Sequence, residues 1–310
     1  MKYHFSTVIL AAGVGKRMHS KKPKVLHRIL GSPIISFVVR TAQMLGTDEI
    51  IVVVGKDSGT VKKELGNALR YALQSEPKGT GDAARCGLDA VKNEHVLILC
   101  GDVPLLTEKT LMQIIRHYEK TSADLTLLTC HMDDPYGYGR IIRNEHGGIT
   151  GIVEQSDAND AEAHIQEINA GVYFGSTNEI SEALQHISTR NNQGELYLTD
   201  IIGFMINDGK TVTAHMIKEQ DEIMGINTKV QLARAREIVR IRWLEELMLR
   251  GVYIEDPATT IIDLAVNIGS NVHIRPFVII EGKTSIADGV TVGPYTWIKD
   301  GKKQSIPGAG

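Results

Sequence analysis

The spacing of apolar and polar positions changes twice along the chain. Up to about Gly225, short apolar or mixed runs lie at 7–10, 50–54, 71–74 and 96–99. Three of them are rich in β-branched residues. Amphipathic stretches of helical length separate them, at 34–45, 60–68 and 80–90. Strands alternating with helices at this spacing predict an α/β domain with a mixed, mainly parallel sheet. In such a sheet ligands bind beyond the carboxyl ends of the strands, near a switch in strand order. Past Asp133 the rhythm shortens. Residues 139–143 and 148–154 read as hairpin strands around a turn at 144–148, and 166–174 as another strand. Together they predict an inserted or appended β layer, a second wall for a substrate.

A long amphipathic helix follows at 229–250, where Leu232, Ala235, Val239, Trp243, Leu247 and Arg250 recur at three- or four-residue steps. Pro257 closes that segment. In the tail, Ile268, Ile274, Ile280, Ile286, Val292 and Ile298 fall six residues apart, and Val266, Val272, Val278, Thr284 and Val290 form a second row two positions ahead. A six-residue period belongs to a parallel β-helix. Residues 263–298 hold two coils, and 300–310, charged and Gly-rich, read as a frayed end. Two coils leave an open sheet end, which solenoids normally cap. The domains expected are therefore 1–228, a linker helix at 229–251 and a short β-helix stub at 252–310.

Composition narrows the classes. Lys plus Arg number 34 against 37 Asp plus Glu, a net charge of −3, which excludes a generally basic surface for nucleic acid. With 42% hydrophobic and 23% charged residues the chain is an ordinary globular mixture. No apolar run approaches the roughly 18 residues of a membrane span. Cys86, Cys100 and Cys130 form no CxxC pair, which fits a reducing compartment. A cytoplasmic chain with neither nucleic acid nor membrane as partner is expected.

Three segments carry chemistry. Leu10, Ala11, Ala12 and Gly13, with Gly15 and Arg17, form a loop directly after the first strand, and Lys24 follows Pro23. Small residues let backbone N–H groups approach a phosphate, while Arg17 and Lys24 add positive charge. A Walker A loop is excluded because Leu10 stands at its first glycine and Arg17 follows Gly15-Lys16. A GxGxxG fingerprint fails at Met18. The second segment is Cys100-Gly101-Asp102 at the end of the fourth run. Thr107 is the better cap for the next helix, so Asp102 is left for a hard cation such as Mg²⁺. Gln74 ends the third run, followed by Gly79, Thr80 and Gly81. Its amide offers the donor and acceptor that complement an imide edge such as uracil, while Gly-Thr-Gly suits a cap or a base contact. Further on, Glu154 and Asn169 offer hydrogen bonds to sugar hydroxyls or an acetamido group. No histidine pattern marks a metal site.

Taken in order, LAAGVGKRM, PKVLH (23–27), LQSEPKGTG (73–81), GDVPL, DDPYGYGRI (133–141), GIVE, EINAG, GELYLTD and GIN (225–227) resemble the N-acetylglucosamine-1-phosphate uridyltransferase family. That family forms the N-terminal half of the bifunctional bacterial enzymes making UDP-N-acetylglucosamine for cell-envelope polysaccharides. The resemblance implies a Rossmann-like nucleotidyltransferase domain followed by a linker helix and a short left-handed parallel β-helix stub. It implies that Leu10, Ala11, Ala12, Gly13, Gln74, Gly79 and Thr80 hold the uridine nucleotide and that Lys24 contacts its phosphates. Asp102 and Asn227 would hold Mg²⁺. Gly139, Glu154 and Asn169 would hold the N-acetylglucosamine unit, Cys100 and Gly101 would line the pocket, and Arg17 would stabilise the transition state. The implied partners are UTP, N-acetylglucosamine 1-phosphate, UDP-N-acetylglucosamine and pyrophosphate. Cys100 stands where the family often carries an aromatic, and Asp82 where it commonly has histidine. The family's acetyltransferase activity, which needs a long β-helix, is expected to be absent. The tail is expected to form a weak homotrimer or leave a monomer. Two rival readings are a sugar-1-phosphate nucleotidyltransferase of other base or sugar, and a non-catalytic sugar-nucleotide-binding or assembly protein.

Overall fold

The computed structural model describes residues 4–56 and 58–304, and they divide into two compact units. The first comprises residues up to 26 and 35–225. Its strands are β1 (Phe5–Leu10), β2 (Glu49–Val54), β3 (Arg70–Leu73), β4 (His95–Cys100), β5 (Leu125–His131), β6 (Arg140–Arg143), β7 (Ile149–Val153), β8 (Glu167–Ser176) and β9 (Val212–Ile217). They form one sheet in the order β9-β5-β8-β4-β1-β2-β3, with β6 pairing β8 and β7 pairing β6. The β1, β2, β3 and β4 pairings are parallel, whereas β8 runs antiparallel to both β4 and β5.

The sheet is covered on both faces, and the alternation of side chains along each strand assigns them. Ile9, Val52, Val54, Leu97 and Leu99 pack with α1 (Ile34–Met44) and α4 (Glu108–Thr121). Val8, Ile51, Val53, Val96 and Ile98 pack instead with α3 (Thr80–Leu88), α6 (Thr177–His186) and α7 (Asp200–Asn207). The two remaining helices of this unit, α2 (Ser58–Leu65) and α5 (Asp160–Ala163), are short. The hairpin expected around 144–148 is present as β6 and β7, closed by Asn144 N–H to Gly148 O at 2.9 Å. The separate β layer is not. β8 enters the main sheet between β4 and β5, because its apolar residues Ile168, Val172, Tyr173 and Phe174 are needed by both helical layers.

The second unit comprises residues 27–34 and 226 onward. Residues 27–34, expected within the first domain, thus side with the tail: Leu264 N–H bonds Leu30 O at 3.1 Å, and Gly31 lies against the Asp263 carboxylate. Helix α8 (Lys229–Leu249) opens with a capping box in which Thr228 and Gln231 bond each other's backbone. Its buried stripe is Ala235, Val239, Leu244 and Leu247, together with Arg240, whose charge is met by Glu237 and the Pro257 carbonyl. Arg250 and Leu249, past the stripe, are exposed.

The tail is a parallel β-helix. Ile261 pairs with Ile279, Asn267 with Ser285, His273 with Thr291 and Val278 with Thr296, so each residue meets the one three hexapeptides further on. Three faces result, two of them with three rungs. The coil starts at Tyr253–Ile254, before the expected residue 263. Tyr253 pairs with His273, which makes this first coil longer than those that follow. The 3-10 turn Pro257–Thr259 lies in it, and the extra length breaks the six-residue period that marks the rest. Val290, the last of the second six-residue row, is 39% exposed. Thr284 is buried, its hydroxyl donating to Glu281 O at 2.7 Å. The expected frayed end is a short hairpin in its described part, with Lys302–Lys303 antiparallel to Thr296–Lys299. Residues 305–310 lie outside the described residues.

Gly87 lets α3 settle on the sheet, since a β-carbon there would stand 2.4 Å from Val8 Cγ1 and 2.9 Å from Val53 Cγ2. Gly87→Ala gains about 1 kcal/mol of helix propensity but overpacks a two-strand contact at a cost of roughly 1–3 kcal/mol. The midpoint of urea unfolding should fall. A midpoint at or above the parent's contradicts this packing.

Candidate active site

The site lies in the first unit, where β1, β2, β3 and β4 end together. Leu10 is in register with both Val53 and Cys100. The loops leaving these strands are then tied to one another: Ala11 N–H bonds Val53 O, and Gly101 N–H bonds Leu10 O, both at 2.9 Å. Gly101 is closely packed there: a β-carbon would sit 3.1 Å from Leu10 O and 3.2 Å from Ala11 Cβ. A cavity of about 450 Å³ opens above the strand ends, within the range of small-ligand pockets. It is lined by Ala11, Ala12, Gly13, Lys22, Gly55 and Gln74, among others. The small-residue loop and Gln74, expected to share a ligand, thus face one space.

Gly15 takes φ +65 and leads into the 3-10 turn Lys16–Met18, which buries Met18 and leaves Arg17 exposed. A β-carbon on Gly15 would reach 2.6 Å from Lys24 Cβ, so the loop folds closely over Lys24. The Lys24 ammonium forms a largely buried ion pair with Asp102. These two residues, expected to serve phosphate and metal respectively, hold each other.

Gln74 is buried, and its orientation is fixed. Its Nε2 donates to Gly79 O at 3.0 Å and to Asp82 Oδ2 at 2.9 Å. The expected donor-plus-acceptor edge is therefore corrected. Both amide hydrogens are taken, and only Oε1 remains to meet a ligand. The Gly-Thr-Gly segment is also engaged: the Thr80 hydroxyl accepts from Leu198 N–H at 3.0 Å, and Gly81 N–H bonds Leu196 O at 2.8 Å. Gly79, at φ +113, has Leu196 O where a β-carbon would be. The loop 194–200 is thereby clipped to the start of α3.

Gly139, Glu154 and Asn169 also come together. Asn169 N–H bonds Gly139 O at 2.9 Å, and a β-carbon on Gly139 would lie 3.5 Å from the Glu154 carboxyl. The Asn169 side chain donates to Tyr173 OH at 2.6 Å and accepts from Gly171 N–H at 3.1 Å across the bulge in β8. Glu154 accepts from the Thr199 hydroxyl at 2.8 Å. Burial pushes its carboxyl up from the usual range, against that hydrogen bond, and Asp200 and Asp157 add to the rise. Cys100 sits with its thiol 3.6 Å from Gly171 O, and burial, helped by Asp102, pushes it up to about 12. It is a neutral wall. Tyr173, Thr199 and the buried Arg140, which holds Tyr138 O and Gln155 Oε1, escaped the sequence reading as supports. Only the places of Arg140 in YGRI and Thr199 in GELYLTD, and of Tyr173 two residues past EINAG, pointed to them.

Asn227 belongs to the second unit, where its N–H donates to Gln231 Oε1 at 2.8 Å, whereas Asp102 belongs to the first. Among the described residues no group of three or more His, Cys, Asp or Glu could hold a metal ion. Asp102 supplies a single carboxylate, which fits Mg²⁺, an ion that takes one or two carboxylates and completes its shell from substrate phosphates and water. No helix among the described residues is long and apolar enough to cross a membrane.

Residues 7–149 match the family described as the MobA-like NTP transferase domain, and 265–300 match the bacterial transferase hexapeptide family. The fold and site thus define a nucleotidyltransferase-type α/β unit joined to a hexapeptide unit. The chain is similar over nearly all its length to bifunctional GlmU proteins. It is 43% identical over 295 residues to "Bifunctional protein GlmU" of Caldanaerobacter subterraneus subsp. tengcongensis, covering 95% of this chain and 64% of that protein. It is 42% identical to the protein of the same name from Geobacillus sp. strain WCH70, covering 94% and 64%. The chain therefore spans about 64% of the length of these relatives. A solved structure provisionally described as a glucose-1-phosphate thymidylyltransferase from Bacillus anthracis, in complex with sucrose, shares the fold. It has a TM-score of 0.61 at 22% identity, covering 76% of this chain and 94% of that one.

Glu154 yields a pH prediction. Its folded carboxyl titrates above its unfolded value, so ionising it costs stability as pH rises. Gln at this position resembles the protonated acid and can still accept from Thr199. E154Q should match the parent's denaturation midpoint in acid, below the ordinary carboxyl range, and exceed it at pH 8. Equal midpoints at both pH values would contradict the buried charge.

Proposed function

We propose that the first unit transfers the uridylyl group of UTP to N-acetylglucosamine 1-phosphate, giving UDP-N-acetylglucosamine and pyrophosphate. The observation that carries this is the single space at the strand ends. It has a small-residue backbone loop on one side, the Gln74 carbonyl on the other, and the Lys24–Asp102 pair close by. The homology to GlmU proteins supports the choice of nucleotide and sugar. The site of Gly139, Glu154 and Asn169 receives the acetamido sugar, with Glu154 accepting from a hydroxyl.

An oxygen of the sugar phosphate attacks the α-phosphorus in line, and pyrophosphate leaves. The attacking oxygen is already anionic, so no general base is required. The demand is instead electrostatic and positional. The loop after β1 places backbone N–H groups and the exposed Arg17 around the phosphates, and Arg17 meets the charge of the transition state. Lys24 shifts from Asp102 toward phosphate as the nucleotide binds. Asp102 would hold Mg²⁺, which when bound supplies Lewis-acid polarisation of phosphoryl oxygens. The hexapeptide unit, whose stacked Phe277 and Tyr295 rings are exposed, supports self-association as a homotrimer.

The test is pyrophosphate release with UTP, Mg²⁺ and N-acetylglucosamine 1-phosphate, against other nucleotides and sugar phosphates. Turnover should depend on that combination. Arg17→Ala should lower kcat by at least about 10² while changing UTP binding less. Asp102→Ala should abolish the response to Mg²⁺. Equal turnover with other pairs, or near-parental kcat in the arginine variant, would refute the assignment.

A further inference from the structure

We infer that Asp82 is a specificity-determining positioning residue: it locks the Gln74 amide so that only a carbonyl oxygen faces the nucleobase. This rests on the nucleotide reading of the cavity proposed above. Asp82 lies in the first turn of α3, half-buried, with Oδ2 2.9 Å from Gln74 Nε2. The second hydrogen of the same amide goes to Gly79 O at 3.0 Å. Gly79 is itself packed closely, with Leu196 O where a β-carbon would be.

Both neighbours are acceptors only. An ionised carboxylate has no hydrogen to give, and neither has a backbone carbonyl. Flipping the amide end for end would set Oε1 against two acceptors and leave the buried group unsatisfied. One orientation is therefore imposed, and the bond to Asp82, being charge-assisted, is the stronger of the two restraints. The backbone fixes Gln74 as well, through its N–H to Val54 O at 2.9 Å. The residue is 5% exposed and lines the cavity, so Oε1 is the group offered there.

An acceptor at that point demands a donor from the base. The N3–H of uracil satisfies it. The N3 of cytosine is itself an acceptor and faces Oε1 lone pair to lone pair. The lock thus selects an imide base against cytosine, although Asp82 does not touch the base. A plain helix-start role predicts something different, because a first-turn acid interacting only with the helix dipole affects all nucleotides alike.

The experiment compares kcat/KM for UTP and CTP in the parent, Asp82→Asn, Asp82→Ala and Asp82→Glu, with equilibrium binding of each nucleotide measured alongside. Asparagine can donate to Oε1, so the amide can turn and present Nε2 to cytosine N3. In D82N the UTP-to-CTP ratio should fall roughly tenfold, the scale of one lost or mismatched hydrogen bond. D82A should fall less, because Gly79 O persists, and D82E, which restores an acceptor, should recover most of the ratio. An unchanged ratio in D82N and D82A, with both nucleotides weakened equally, overturns the inference. If one variant fails to fold by its melting curve, the ratio in the other decides. Failure of the parent to turn over UTP or to prefer it is a different result, and refutes the nucleotide reading itself.

Discussion

The first unit depends on the parallel alignment of β1 with β2 and β4. Leu10 is in register with Val53 on one side and Cys100 on the other. Three strands leave the sheet at one level, and the bonds from Ala11 to Val53 and from Gly101 to Leu10 continue the ladder one step past their ends. That step brings a small-residue loop and a carboxylate to the same place. A β-carbon at Gly101 would press on Leu10 O and Ala11 Cβ, so the loops are closely packed where they meet. The ligand space is what remains after the sheet has paired.

Around this plane the supports are polar and mostly satisfied. Lys24 neutralises Asp102, Thr199 bonds Glu154, Tyr173 bonds Asn169, and Asp82 with Gly79 holds Gln74. Each partner fixes a side chain that could otherwise take several rotamers, which lowers the cost of organising it when a ligand arrives. Glu154 is the exception in sign: its burial works against ionisation, and stability is given up for an acceptor aimed at the site.

Strong local patterns are legible in the sequence. The β-branched runs are strands because both faces are buried, and the six-residue row from Ile268 to Ile298 lies on the β-helix strands with its side chains packed in the core. Features set by long-range pairing are not legible. β5 and β9 escaped the sequence reading, β5 although its run at Leu125–His131 is largely apolar and buried, and β8 reads as part of a separate layer. An antiparallel strand inserted between β4 and β5 leaves no trace in its own sequence of where it pairs. The first coil of the β-helix is hidden by the turn at Pro257–Thr259, which shifts its period. For the site, glycines and charges at strand ends identify the pocket. Hydrogen-bond direction is out of reach. Gln74 reads as both donor and acceptor until Gly79 O and Asp82 are seen to consume its two hydrogens.

The central claim is that a uridine nucleotide lies in the space between the loop after β1 and Gln74. A crystal structure of the protein with UDP-N-acetylglucosamine tests it directly. The account predicts the uracil N3–H against Gln74 Oε1, the diphosphate along the Ala11–Gly13 backbone, and the acetamido sugar beside Glu154 and Asn169. A nucleotide bound elsewhere, or a base turned away from Gln74, would contradict it.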